Sequence, residues 1–215
     1  YTGPQNTESY SPFFDSLLTN SLYFKNSVSN GSSSMDALPA ILSSLPSWTN
    51  ESFILSPYIR NKVKGLPYYL KNDGYQCAFF HGANNGSMRF DAFCKKIGFD
   101  KYFGKNEYGN PNHDDGIWGI PDHYFLNYSA NQINELKEPF LAGIFNISSH
   151  HPYKIPDNYK KLVKKGPEDI CAAINYSDMA LKEFWEKIQH SNWFNNTLFV
   201  FCAVSCYHAC CRLFG

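Results

Sequence analysis

The feature that most constrains the fold is an alternation of apolar, strand-like runs with helix-like segments. Continuous apolar runs predict buried strands at residues 75–81, 139–148 and 197–203, and a short apolar run predicts another at 22–24. Capping signals and helical spacing between these runs predict helices at 11–18, 35–44, 59–72, 89–97, 122–136 and 168–190, with a long loop at 103–118. Strands that alternate with helices indicate a layered α/β domain with a mainly parallel sheet and its chemistry at the carboxyl ends of the strands.

Composition sets the broad class of the protein. The chain has 215 residues, 43% of them hydrophobic, which is enough for one sizeable core. Its formal net charge is zero, so nothing favours a nucleic-acid partner. No run approaches the roughly 18–20 apolar residues that cross a bilayer, and the start at Tyr1 has no signal-peptide pattern. We therefore expect a soluble piece of a processed or longer protein, without nucleic acid as a partner.

The seven cysteines fall into two groups. Cys77, Cys94 and Cys171 lie among apolar neighbours and are predicted to be ordinary core residues. The other four crowd the end of the chain beside His208: they are Cys202, Cys206, Cys210 and Cys211. Because their spacing fits no zinc pattern, we favour an atypical tail without a function over a new metal site.

A small, serine-rich turn runs directly into an apolar helix start at residues 30–42. The N-terminus of a helix has unpaired N–H groups and the positive end of the dipole, which suit an anionic phosphate or sulfate ester. Ser33 with Asp36 also resembles a capping box, and capping is the commoner role of a serine at this position. The residues alone thus favour a capped helix and leave a nucleophilic serine as the alternative.

Further polar candidates follow two of the apolar runs. His81 ends the first run, and His150 and His151 follow the second, so all three are predicted at one rim of the sheet. Adjacent side chains leave a strand end in opposite directions, so one histidine of the pair can face a ligand while the other packs. Arg89 could clamp a phosphate in a bidentate manner from the start of its helix. The alternatives are satisfied histidines and a solvated arginine.

Seven short motifs occur in the order found in a known family. They are SPFFDSL at 11–17, SNGSSSMDALP at 29–39, FFHG at 79–82, GFD at 98–100, GIWG at 116–119, SHHPY at 149–153 and WFNNTLFVF at 193–201. With these motifs the chain resembles the sulfatase-like branch of the alkaline phosphatase superfamily, specifically the lipoteichoic acid synthase and phosphoglycerol transferase type. The resemblance implies a three-layer sandwich, incomplete at both ends, with a partial catalytic domain at 1–203 and an atypical Cys-rich tail at 204–215.

The resemblance implies that Ser34 is the nucleophile, because the residues around it match the family motif. Its oxygen would ligate a divalent metal, with manganese favoured over zinc or magnesium, and would form a covalent phospho-enzyme. The formylglycine motif C/S-x-P-x-R of true sulfatases does not occur in the sequence. The resemblance therefore favours a phosphoglycerol transferase or phosphodiesterase over a sulfate ester hydrolase.

The same resemblance implies substrate-binding roles for His81, Arg89 and His150, and it places His151 beside a matched position. The implied substrate is an anionic phosphoester or sulfoester, such as a phospholipid head group or a glycan. In family members this domain lies at the extracytoplasmic face of a bacterial membrane. Transfer and hydrolysis differ only in the acceptor, which these motifs do not identify.

Two departures from the family pattern concern the metal. The family's metal site uses a glutamate located before the position of Tyr1 and an Asp-His pair located after Phe201, where this chain instead reads Ala203-Val204-Ser205. The abrupt change at Ala203 is typical of a frameshifted or truncated reading. The alternative function is therefore a non-catalytic remnant or anion-binding module without bound metal. An incomplete sheet is also expected to expose an edge through which two copies can dimerise.

Overall fold

The computed structural model describes residues 9–204 except 25, 28 and 32, so most of the Cys-rich tail lies outside the described residues. Within these limits the α-helices are α1 Pro12–Leu18, α2 Ser34–Ser43, α3 Leu66–Asn72, α4 Phe90–Ile97, α5 Lys105–Tyr108, α6 Asp122–Asn134 and α7 Asp169–Ile188. The strands are β1 Gln76–His81, β2 Lys101–Phe103 and β3 Phe140–Phe145. Short 3₁₀ turns lie at Pro57–Arg60, Ser87–Arg89, Pro111–His113 and Phe194–Asn196. No helix in this part of the chain has the length and apolar content of a membrane span.

The three strands form one parallel sheet in the order β2–β1–β3. β1 pairs with β3 over its whole length, from Gln76 opposite Phe140 to His81 opposite Phe145, and with β2 over three residues. Because the strands are parallel, their carboxyl ends lie at the same edge of the sheet. The predicted α/β class with a parallel sheet is confirmed, and His81 lies at the carboxyl edge.

Helices cover both faces of the sheet. Phe80 of β1 packs in a cluster with residues of α6 and α7, whereas Phe79 packs in a second cluster with residues of α2 and α4. Successive side chains of a strand point to opposite faces, so β1 joins the two clusters. The result is a helix–sheet–helix sandwich. Cys77, Cys94 and Cys171 are buried, as predicted.

Two of the predicted strands are wrong. The run at 22–24 forms no strand, and its Leu22 is 83% exposed. The run at 197–203 is also unpaired, with Leu198 87% exposed, although it lines an apolar cavity of about 550 Å³ together with β3. An apolar run becomes a strand only where a neighbouring edge accepts its hydrogen bonds, and no described strand pairs with either run.

Three other predictions need correction. The helix expected at 59–72 is a 3₁₀ turn followed by α3, because Gly65 and Pro67 start a new helix there. The loop expected at 103–118 contains α5, and β2 was not predicted. The expected cap of α1 by Ser11 is absent; the amides of Phe13 and Phe14 instead donate to the Asp178 carboxylate on α7, at 2.9 and 2.8 Å.

Candidate active site

Ser34 is the first residue of α2 and is 8% exposed. The capping role belongs to its neighbour, because the Ser33 hydroxyl accepts a hydrogen bond from the Met35 amide at 3.2 Å. The Ser34 hydroxyl makes no hydrogen bond to any residue that the structure describes. The helix therefore separates the two roles: Ser33 satisfies the backbone, and Ser34 presents a hydroxyl where the dipole favours an anion.

The turn before α2 has a shape that requires glycine. Gly31 has φ +92°, and a Cβ atom on it would lie 2.3 Å from Cβ of Asp36 in the first turn of the helix. Two longer-range hydrogen bonds hold the turn: the Ser52 hydroxyl donates to the Met35 carbonyl at 2.8 Å, and the Ser47 amide donates to the Asn30 side chain at 2.6 Å. Ser34 is thus carried on a well-anchored backbone.

His81 ends β1 and is completely buried. Its ring packs against those of Phe90 and Phe145, with centroids 5.1 and 5.2 Å away. The Tyr102 hydroxyl lies 3.0 Å from Nδ1, whereas the buried Nε2 has no hydrogen-bond partner among the described residues. Burial, together with the nearby charge of His150, lowers the pKa of His81 to about 4. The imidazole is therefore neutral at neutral pH and has one unsatisfied nitrogen, as expected for a group that meets a ligand.

Acid should destabilise the fold through His81. An unfolded histidine has a pKa near 6.5 and folded His81 one of about 4, so the unfolded state binds more protons between these values. The free energy of unfolding should therefore fall as pH drops from about 6.5 to 4, by about 3 kcal/mol from this residue. Urea unfolding at several pH values measures the slope.

His81→Phe should reduce the slope of the unfolding free energy against pH by the contribution of about one proton. His123, whose pKa burial also lowers to about 4, remains in the variant, so part of the acid sensitivity should persist. His190→Gln, which removes an exposed histidine, is the control for the loss of a histidine side chain. Parallel slopes for wild type and His81→Phe would contradict a buried, neutral His81.

Arg89 precedes α4 and has a left-handed backbone. Its φ is +55° and that of Met88 is +51°, conformations that residues with a side chain adopt only at an energetic cost. The Arg89 side chain is exposed, and no described residue forms an ion pair with it. The strained turn therefore presents a guanidinium group that is available to an anionic ligand.

His150 and His151 differ in burial and in their contacts. Nδ1 of His150 lies 3.0 Å from the carbonyl oxygen of Ile147. A carbonyl only accepts, so Nδ1 carries the proton and, in the neutral ring, Nε2 has a free lone pair. His151 is exposed, its carbonyl accepts from the indole of Trp118 at 2.7 Å, and its ring contacts that of Tyr153. The half-buried His150 is thus the member of the pair that lies on the site.

Asp122, the first residue of α6, holds the turn that carries His150. Its buried carboxylate accepts hydrogen bonds from the amides of Ile147 at 3.0 Å and Ser148 at 3.3 Å, and its own amide donates to the Ser148 hydroxyl at 2.9 Å. Burial raises the pKa of Asp122, and these hydrogen bonds oppose the rise. Sequence reasoning missed this residue, because an acidic residue in the first turn of a helix is ordinary.

One aromatic cluster joins the site segments. The ring of Phe145 contacts both His81 and His150, and Phe90, next to Arg89, packs on Phe145. Met35, next to Ser34, packs against the same cluster. The Phe145 ring therefore joins His81 to His150, and the sequence neighbours of Ser34 and Arg89, Met35 and Phe90, pack in the same apolar cluster.

A metal site needs several ligands close together. The part of the chain that the structure describes contains no group of three or more His, Cys, Asp or Glu residues that could hold a metal ion. The Ser34 hydroxyl is a single oxygen ligand, whereas metals of this class take several. The described residues therefore do not by themselves fit a metal at Ser34. His208, Cys206, Cys210 and Cys211, weighed above as a tail site, lie outside the described residues.

Comparison with known proteins gives the site a context. A protein-family model described as Sulfatase matches residues 1–203. Lipoteichoic acid synthase 1 of Bacillus subtilis is 26% identical over 144 residues, which are 64% of this chain and 22% of that protein. Phosphoglycerol transferase I of Escherichia coli strain SMS-3-5 is 32% identical over 142 residues, 61% of this chain and 18% of that protein. The chain thus spans about a fifth of the length of these relatives.

Solved structures confirm the fold. An alkaline phosphatase superfamily protein from Vibrio parahaemolyticus matches with a TM-score of 0.76 and 24% identity, over 86% of this chain and 46% of that one. The lipoteichoic acid synthase LtaP from Listeria monocytogenes matches with a TM-score of 0.71 and 22% identity, over 85% of this chain and 47% of that one. Streptococcus pyogenes phosphoglycerol transferase GacH, in complex with sn-glycerol-1-phosphate, matches with a TM-score of 0.59 and 16% identity, over 86% of this chain and 52% of that one.

Proposed function

Because this chain belongs to the sulfatase family, we propose that its site acts on an anionic phosphoester in the manner of a phosphoglycerol transferase. The observation that carries the proposal is the Ser34 hydroxyl at a helix N-terminus: it makes no hydrogen bond to the described residues, and its neighbour Met35 packs in the same apolar cluster as the rings around His81. The names of the relatives, lipoteichoic acid synthase and phosphoglycerol transferase, support phosphoester over sulfate ester chemistry.

The proposed reaction has two displacements at phosphorus. The Ser34 oxygen attacks the phosphodiester and loses its proton, a P–O bond breaks as the leaving oxygen gains a proton and departs as an alcohol, and the phosphoglycerol group stays on Ser34. An acceptor hydroxyl, or water, then attacks the same phosphorus and releases Ser34. Arg89 binds two phosphate oxygens, His81 contributes its buried Nε2, and His150 accepts a hydrogen bond from a glycerol hydroxyl through its Nε2 lone pair. Substrate binding by the exposed His151 stays a prediction.

The proposal includes a divalent metal, with manganese favoured over zinc or magnesium and Ser34 as one ligand; because the described residues supply no set of further ligands, the others would have to come from outside them. When bound, such a metal neutralises charge at the phosphoryl group and activates a hydroxyl. We further propose residues 1–203 as a partial catalytic domain, residues 204–215 as a tail, and action on phospholipid head groups or glycans at the extracytoplasmic face of a bacterial membrane. Dimerisation through an exposed edge of the sheet belongs to the same set of proposals.

Binding of sn-glycerol 1-phosphate tests the proposal. Arg89→Gln should weaken binding roughly tenfold or more, because a charge-assisted, bidentate contact is lost. Arg60→Gln, which removes an exposed arginine from the 3₁₀ turn Pro57–Arg60, is the matched control and should bind like wild type. Isothermal titration calorimetry gives the dissociation constants. Equal affinities for wild type and Arg89→Gln, or no binding by wild type, would reject this site.

A further inference from the structure

Tyr102 lies at the centre of β2 and reaches His81 on the neighbouring strand. Its backbone pairs with Phe79, two residues before His81, and its ring stacks on that of Phe79 with centroids 5.9 Å apart. Pairing and stacking together aim the phenol along β1 toward its carboxyl end, where the hydroxyl lies 3.0 Å from Nδ1 of His81. A residue of an unpredicted strand thus makes the one hydrogen bond that the described residues offer to the His81 ring.

The proton in this hydrogen bond can be assigned by counting partners. If Nδ1 donated, the Tyr102 proton would have no acceptor among the described residues, and Nε2 would hold a buried lone pair without a donor. If the hydroxyl donates, both it and Nδ1 are satisfied, and the single proton of the neutral ring lies on Nε2. Burial raises the pKa of Tyr102, so the hydroxyl keeps its proton to donate. In the second arrangement the hydroxyl and Nδ1 satisfy each other, only the Nε2–H group lacks a partner among the described residues, and this arrangement is favoured.

We propose that Tyr102 is a positioning residue that holds neutral His81 with its proton on Nε2, so that His81 donates a hydrogen bond to a phosphate oxygen of the substrate. This inference rests on the proposed function, because it takes the ligand to be a phosphoester. The Ile147 carbonyl imposes the opposite arrangement on His150, whose Nε2 accepts. Beside the Phe145 ring, His81 thus offers a neutral donor and His150 an acceptor. This pair matches a ligand with anionic oxygens at one end and hydroxyl groups at the other, as in a phosphoglycerol group.

Nitrogen NMR of ¹⁵N-histidine-labelled protein at neutral pH tests the assignment directly. Seven histidines are present, and His81→Phe identifies the His81 signals by their loss. In wild type, Nε2 of His81 should carry the proton. In Tyr102→Phe the proton should be shared between the two nitrogens, because Nδ1 has lost its donor. Tyr75→Phe is the matched control, since Tyr75 packs against the same cluster and makes no side-chain hydrogen bond to the described residues.

A titration with sn-glycerol 1-phosphate supplies the second readout. Tyr102→Phe should raise the dissociation constant roughly fivefold, and Tyr75→Phe should leave it unchanged. A proton on Nδ1 in wild type, or Tyr102→Phe signals identical to wild type, would overturn the inference whatever the affinity. A third outcome is that the tautomers are as expected but the His81 signals do not change when sn-glycerol 1-phosphate is added. This result would reject the proposed function at His81 and would leave the control of its proton by Tyr102 established.

Discussion

Replacing Ser34 with alanine should lower phosphodiester turnover by roughly 10⁴-fold or more, because the variant has no atom that can form the proposed covalent intermediate. The hydroxyl of Ser34 makes no hydrogen bond to the described residues, so its removal should change the free energy of unfolding by less than about 0.5 kcal/mol. Hydrolysis of bis(4-nitrophenyl) phosphate with and without Mn²⁺ measures turnover. Intact-protein mass spectrometry detects the phospho-enzyme, which should form in wild type and be absent from Ser34→Ala.

Ser33→Ala is the matched control for this experiment. It removes the hydroxyl that accepts from the Met35 amide, so it should cost about 1 kcal/mol of stability while turnover stays within a few-fold of wild type. The reverse pattern, with Ser33→Ala inactive and Ser34→Ala active, would show that the nucleophile is misassigned. If wild type binds sn-glycerol 1-phosphate but shows no Mn²⁺-stimulated turnover, the chain is an anion-binding module instead of an enzyme.

Asp122→Ala should reduce the free energy of unfolding by about 4 kcal/mol, the largest stability effect expected for a single side chain of the site. The substitution leaves two buried amides, those of Ile147 and Ser148, without an acceptor. Each unsatisfied buried donor costs about 1–3 kcal/mol. Urea unfolding monitored by tryptophan fluorescence gives the difference between variant and wild type.

Two further variants sharpen this result. Ser177→Ala removes only the weak 3.3 Å hydrogen bond from the Ser177 hydroxyl to Asp122 and should cost less than about 1 kcal/mol. Asp122→Asn keeps one acceptor oxygen, so its loss in free energy of unfolding should lie between those of Ser177→Ala and Asp122→Ala. Because the turn held by Asp122 also presents the Ile147 carbonyl to His150, the alanine variant should bind sn-glycerol 1-phosphate more weakly. A stability equal to wild type would show that the two amides find other partners.

The strands show how far sequence reasoning reaches. β1 and β3 were predicted close to their observed bounds, because strands covered by helices on both faces read as continuous apolar runs. β2 has only three residues and an exposed Lys101, so its identity comes from pairing with β1 and leaves little local signal. The apolar run at 197–203 had the local signal of a strand but has no described strand beside it.

The site divides in the same way. Ser34, His81, Arg89, His150 and His151 are candidates from motifs and family resemblance, since each lies in a short, recognisable segment. Asp122 and Tyr102 were missed because each acts through a contact more than twenty residues away in the sequence. Asp178 is a more extreme case, since it anchors the first turn of α1 from near the other end of the domain. Such roles depend on tertiary structure and leave no local pattern.

The parallel pairing of β1 with β3 also has a consequence for synthesis of the protein. Gln76 pairs with Phe140, and His81 with Phe145, about sixty residues later in the chain. A ribosome adds about 5–20 residues per second, so β3 is synthesised several seconds after β1. During that time the apolar residues of β1 depend on early helices or on chaperones for cover. The apolar surroundings of the His81 ring are complete only when Phe145 has emerged from the ribosome. A nascent chain stalled before that point would expose an apolar, aggregation-prone strand and could not bind a substrate at the proposed site.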